Sequence, residues 1–308
     1  MAILALPASG LTAHNEAYVA PRAAVGKLLL KMKQEANIRK EVVDGFGEEW
    51  KKFDQSELSN EELEFIGKEY FDIFPWKILP EYAVGFDLGC GSGRWAKLVA
   101  PRVGHLHCID PSVAIEVASK NLSSNSNCSF HLNGVDDIPL EDNSMDFGYS
   151  LGVLHHIPDT AAGLKACVNK LKPGAPFLVY LYYAFDNQPF WFRAIWKASD
   201  MFRRIISIMP FPLRFIFSQL IAAMIYFPLA KFSRLFEILG REVHSFPLSA
   251  YRFKSFYTMR TDALDRFGTR LEHRYTRAQI QKMMEDSGLK NIAFSDSIPF
   301  WVAVGIKK

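Results

Sequence analysis

Cysteine is scarce in this chain of 308 residues, with only Cys90, Cys108, Cys128 and Cys167, and no two of them form a C-x-x-C pair. That spacing excludes a zinc knuckle and a paired redox site, and no other metal-ligand spacing replaces them. So few cysteines in so long a chain also argue against a disulfide framework, so free thiols and a cytoplasmic location are expected. A dominant charge is lacking as well: 36 basic side chains face 33 acidic ones, for a formal net charge of +3. A balance so even gives no ground for expecting a nucleic-acid partner. Residues 1–10 are apolar, but no basic residue precedes their short hydrophobic run, so they make a poor signal peptide. The apolar run 213–227 is shorter than the ~20 residues a membrane span needs. It also carries Arg214 and Gln219. A spanning helix is therefore not expected.

Apolar residues make up 49% of the chain and charged residues 22%, the balance of a globular protein. Four regions follow from the local patterns. Residues 1–80 read as a helical N-terminal extension, clearest over 23–36 and 61–70. Ser59 with Glu62 has the spacing of a capping box, and Phe46, Trp50 and Phe53 recur at helical intervals. Such an extension either lies over a ligand or caps a sheet. Residues 81–185 alternate short apolar runs with helical stretches, the pattern of a parallel sheet wrapped by helices. Strands are predicted near 83–88, 106–110, 129–133, 145–151 and 176–183, with helices near 94–99, 113–122 and 160–170. Residues 186–260 break this rhythm with an aromatic and basic insertion. Residues 261–308 complete the sheet: Thr276 caps a helix over 277–287, Gly288 ends it, and strands follow near 292–295 and 300–306.

The chemistry is concentrated in the run Asp87-Leu88-Gly89-Cys90-Gly91-Ser92-Gly93, an apolar strand entering a tight turn. Glycine is needed where backbone bends sharply and must approach a ligand without a Cβ in the way. Asp87 stands where a dinucleotide would bring its pyrophosphate and would repel it, whereas an ammonium group would be attracted. The spacing is G-x-G-x-G, not the G-x-G-x-x-G of dinucleotide binders. A nicotinamide-dependent oxidoreductase is thereby disfavoured. The second strand ends at Asp110, at the distance from the first glycine that lets an acid reach ribose hydroxyls. The fourth runs into Leu151-Gly152-Val153-Leu154-His155-His156. All three features fall at the carboxyl ends of parallel strands, where open α/β sheets bind ligands.

These runs, with Val135-Asp136-Asp137-Ile138 between them, resemble the successive motifs of class I S-adenosylmethionine-dependent methyltransferases. The resemblance is to the small-molecule "type 11" group. It covers residues 83–183 well and the last thirty moderately, but neither the first eighty nor the insertion. It implies a Rossmann-like, seven-stranded, mostly parallel α/β sheet with helices on both faces and a helical insertion after the fifth strand. Carried over by position, Asp87, Gly89, Cys90 and Gly91 would hold the methionine moiety of S-adenosylmethionine and Asp110 its ribose. Val135 and Asp136 would meet the adenine, and Leu151 would line the methionine side. Where many relatives carry an aspartate in the third motif, this chain has Gly134.

A methyl donor of this kind needs a base only when the acceptor must lose a proton. His155 and His156 are the candidates, because histidine titrates near neutral pH, and His156 is preferred. Tyr182, Tyr183 and Asp186 close the fifth strand within reach of an acceptor. In the insertion, eight basic residues from Arg193 to Arg241 face only Asp200 and Glu237 amid large apolar side chains. Such a segment suits a structural helical cap, or a lid over a hydrophobic or lipid-like acceptor with peripheral membrane contact through residues 190–240. A non-catalytic protein that keeps the cofactor fold is the alternative. No nucleic-acid partner is expected.

Overall fold

A computed structural model describes residues 37–243 and 245–308. The helix expected over 23–36 and the apolar segment 1–10 lie outside these residues.

The chain first forms α1 (Lys40–Lys52) and α2 (Asn60–Phe71). Ser59 caps α2 by accepting the Glu62 backbone N–H at 3.2 Å. The predicted box is only half made. The Glu62 carboxylate turns away and accepts from the Ser255 N–H and the Thr258 hydroxyl, at 2.7 Å each. It thus ties α2 to a helix nearly two hundred residues downstream.

The core then alternates β1 (Val84–Leu88), α3 (Ala96–Val99), β2 (His105–Ile109), α4 (Ala114–Asn121), β3 (Cys128–His131), β4 (Phe147–Leu151), α5 (Thr160–Lys170) and β5 (Pro176–Tyr180). The insertion supplies α6 (Phe190–Ser207) and α7 (Phe211–Ile238), the latter passing through a π-helical turn at Ala222–Tyr226. After α8 (Phe256–Gly268) come α9 (Arg277–Asp286), β6 (Leu289–Phe294) and β7 (Val302–Lys307). Thr276 and Gln279 make the full reciprocal box at the start of α9.

Among the described residues, the seven strands form one sheet in the order β3-β2-β1-β4-β5-β7-β6. Strands β1 to β5 pair in parallel, and β7 enters antiparallel between β5 and β6. The sheet is therefore mostly parallel, as expected. Buried Phe86, Phe147, Tyr149 and Phe177 fill both its faces, and rows of strands covered on two sides must be apolar throughout. Chain order reverses between β1 and β4, so their carboxyl ends splay apart into the crevice where such sheets bind ligands.

One expectation about the insertion is overturned. The apolar run counts residues 213–227, between Pro212 and Pro228, but Pro212 falls in the first turn of α7, where a missing N–H costs nothing, and Pro228 follows the π-helical turn without ending the helix. The helix runs on through the second proline for 28 residues, long and apolar enough by length and composition to cross a membrane.

Candidate active site

The crevice between β1 and β4 opens into a cavity of about 520 Å³, within the ~300–1,000 Å³ usual for ligand pockets. At its floor, Gly89, Cys90 and Gly91 form the turn that leaves β1. Gly89 has φ +76°, and a Cβ there would lie 2.4 Å from Val153. Gly91 has φ +53°, and a Cβ there would lie 2.9 Å from the indole nitrogen of Trp50 on α1. These are positions that L side chains other than glycine's adopt only with strain.

Asp110 lies just beyond β2 on the cavity wall. Its Oδ2 accepts the Gly91 N–H at 2.9 Å, and its Oδ1 accepts the Ser112 N–H at 2.9 Å and hydroxyl at 2.6 Å. Burial raises its pKa, and these bonds oppose the rise. A carboxylate offers about four acceptor positions, so one remains for a hydroxyl in the cavity. Val135 and Leu151 line the same region.

Asp87 and Asp136 are placed differently. Asp87 is buried behind the turn and is absent from the cavity lining. Neither of its oxygens makes a hydrogen bond of ordinary geometry. Burial pushes its pKa well up, with the neighbouring Tyr149 hydroxyl acting the other way. Asp136 also stands off the lining and is half-buried beside Asp137. The resemblance implied contact from both side chains. In the fold neither side chain lines the cavity, whereas Val135 of the third-motif loop does.

The two histidines separate cleanly. His155 is fully buried, stacks on Tyr182 at 3.8 Å and does not reach the cavity. His156 lines it. The His156 Nδ1 lies 2.7 Å from the Leu271 carbonyl. A carbonyl only accepts, so Nδ1 carries the proton and the neutral ring leaves Nε2 bare. That Nε2 has no hydrogen-bond partner and stands 3.9 Å from Asp265 Oδ1, while Tyr182 donates to the other Asp265 oxygen. Burial lowers the His156 pKa, and the Asp265 charge opposes the shift.

Residues 86–179 match the family model described as "Methyltransferase domain". Among curated relatives, Phosphoethanolamine N-methyltransferase 2 of Caenorhabditis elegans is 33% identical over 100 residues, covering 31% of this chain and 23% of the relative. The Ubiquinone biosynthesis O-methyltransferase of Xylella fastidiosa (strain M23) is 29% identical over 96 residues, covering 30% of this chain and 39% of the relative. Residues 86–179 are a class I methyltransferase domain. The chain spans about a quarter of the first relative's length and two fifths of the second's. Among solved structures, an S-adenosylmethionine-dependent methyltransferase from Aquifex aeolicus aligns at 12% identity with a TM-score of 0.42, covering 81% of this chain and 97% of that one.

S-adenosylmethionine is the cofactor of this methyltransferase domain, and the residues present fit it. The turn leaves room where a Cβ would intrude, and Asp110 keeps a free acceptor position. Carboxylates of Glu49, Asp262 and Asp265 line the cavity and favour positive charge there. The Glu49 pKa is pushed well up by burial and by Asp265 and Asp262, with Arg94 and Arg214 opposing. Sequence reasoning missed Glu49, Trp50, Arg94, Asp262 and Asp265. The extension contributes Glu49 and Trp50 because Asn37 clamps its start to the histidine loop, donating to the Asp159 carbonyl at 3.1 Å and accepting its N–H at 2.7 Å. Asp262 and Asp265 offered one faint signal, two acids three residues apart on one helical face.

Proposed function

We propose that the chain moves a methyl group from S-adenosylmethionine to an oxygen or nitrogen of a small hydrophobic, lipid-like acceptor. One observation carries this reading. A single cavity extends from the glycine turn and Asp110 to a far lobe walled by Phe192, Ile195, Trp196, Ile221, Ile225 and Leu229 of the insertion. The apolar walls from the insertion suit an apolar body, and the carboxylates and His156 that line the same cavity suit a polar reacting group.

When bound, the cofactor supplies a methyl group on a positively charged sulfur. The turn at Gly89–Gly91 and Asp110 would hold it, with Trp50 of α1 beside the turn. His156 is the base: its bare Nε2 takes the acceptor's proton, and the Leu271 carbonyl fixes the ring's orientation. Asp265 stabilises the resulting imidazolium across 3.9 Å, and Tyr182 holds Asp265 in place. Alignment and exclusion of water account for the rest.

The test supplies a tritium-labelled methyl group on the cofactor to the full chain with a total lipid extract. Label in solvent-extractable product supports the reading. Binding of S-adenosylhomocysteine with label only in water-soluble product would remove the hydrophobic acceptor, and absence of binding would remove methyl transfer itself.

A further inference from the structure

The two helices of the insertion are built inside out. Helix α7 buries Arg214, Ser218, Ala222, Tyr226, Ala230 and Ser233, a stripe of mostly small or polar residues at helical spacing. Its opposite side exposes Ile216, Leu220, Met224, Phe232, Leu235 and Ile238, with Met224 73% and Ile238 72% accessible. Helix α6 repeats the inversion. It buries Asp200 and Arg203, paired at 2.6 Å, with Ile206 and Ser207 beside them, while Phe190, Met201, Phe202 and Ile205, and Ile208 just past its end, are exposed. In water such faces cost free energy, at ~25 cal/mol per Å² of apolar surface left uncovered, and chains that stay single in water rarely expose large contiguous apolar patches.

Two further observations say what covers this surface. Arg193, Lys197, Lys231, Arg234 and Arg241 are exposed on the same helices and at their ends, which complements an anionic surface. Of the eight basic residues in the segment, Arg203 and Arg214 instead point inward, Arg203 to Asp200 and the Thr269 carbonyl, and Arg214 to Glu48 and the Gly268 carbonyl. The cavity also reaches this face. Ile195 and Ile225 line it and are 53% and 47% exposed, on the same two helices that carry the outward apolar side chains.

We propose that the outer face of α6 and α7 is seated in the apolar boundary of an anionic lipid bilayer, and that the acceptor enters the cavity sideways from the lipid past Ile195 and Ile225. The acceptor's route rests on the methyl-transfer reading above; the docking of the face does not. Although α7 has the length to cross a bilayer, it lies in the plane. Its buried stripe packs on α8 and on the Ser249–Tyr251 turn, and crossing would strip Arg214 from Glu48 and Gly268. Apolar insertion supplies the affinity and the basic residues bias it towards anionic headgroups.

The experiment is flotation of the full chain with phosphatidylcholine vesicles, with and without phosphatidylglycerol. It is repeated for a Phe202→Glu, Met224→Glu, Phe232→Glu variant, whose changed residues do not line the cavity. Binding of S-adenosylhomocysteine is measured on both proteins, and their oligomeric state by light scattering. The wild type floats, more strongly with phosphatidylglycerol, and the variant loses at least tenfold in partitioning while keeping its cofactor affinity. Wild-type protein that floats with neither vesicle overturns the proposal. So does a wild-type dimer that the three substitutions turn into a monomer without any vesicle binding, since the face is then an interface between copies. Flotation without cofactor binding would sink the methyl-transfer reading and leave the docking face standing.

Discussion

A Cβ on Gly91 would stand 2.9 Å from the indole nitrogen of Trp50. The glycine turn of the core and helix α1 are thus fitted to each other.

Gly91→Ala is expected to weaken S-adenosylhomocysteine binding by roughly tenfold, combining about 1–2 kcal/mol of left-handed strain with displacement of Trp50. Isothermal titration reads the loss. In a Trp50→Ala background the same change should cost less, because the clash has gone. An equal cost in both backgrounds would show that Trp50 does not constrain the turn.

Asp110→Ala removes the remaining acceptor position and leaves the Gly91 N–H, Ser112 N–H and Ser112 hydroxyl without their carboxylate. A loss of ~1–3 kcal/mol in S-adenosylhomocysteine affinity is expected, with an unchanged circular dichroism spectrum. Affinity within twofold of wild type would detach Asp110 from the cofactor.

His156→Gln should lower turnover by about 10²–10⁴ while leaving S-adenosylhomocysteine affinity nearly unchanged. Burial holds the His156 pKa below its ordinary value of about 6.5. The base form therefore persists to lower pH than for free histidine, and the acid limb of the wild-type rate profile falls below ~6.5. A variant with normal turnover and the same acid limb would clear His156 of the role.

His155 makes a prediction about stability. Its Nδ1 accepts the Tyr182 N–H at 3.4 Å, and burial lowers its pKa well below the usual value. The folded state thus resists a proton that the unfolded chain takes up near pH ~6.5. Its contribution is present above that pH and is lost as pH falls towards the folded pKa. Urea midpoints measured from pH 7.5 down to about 5 should drop more steeply for wild type than for His155→Gln. Parallel curves would mean that folding does not lower the His155 pKa.

Much of the core was legible in order. The strand ending at Leu88, the glycine turn, Asp110 at the close of the next strand and the helix Thr160–Lys170 all appear where local pattern put them. Strand ends were less legible: the fifth was read to 183 and stops at Tyr180, because the apolar run continues after the ladder to β7 ends.

The sequence alone determined the turn, since only glycine tolerates the backbone angles and close approaches at 89 and 91, and it determined the alternation that yields a parallel sheet. Both are properties of residues near one another in the chain. Tertiary structure decided that Trp50 packs on the turn, that Asp265 faces His156 across 108 intervening positions, and that Asp87 is buried behind the turn. It also decided which face of α7 is turned inward. Helical periodicity marks a stripe of Arg214, Ser218 and Ala222, and an apolar stripe opposite. Only the Glu48 carboxylate and the Gly268 carbonyl, waiting on other elements for Arg214, make the polar stripe the buried one.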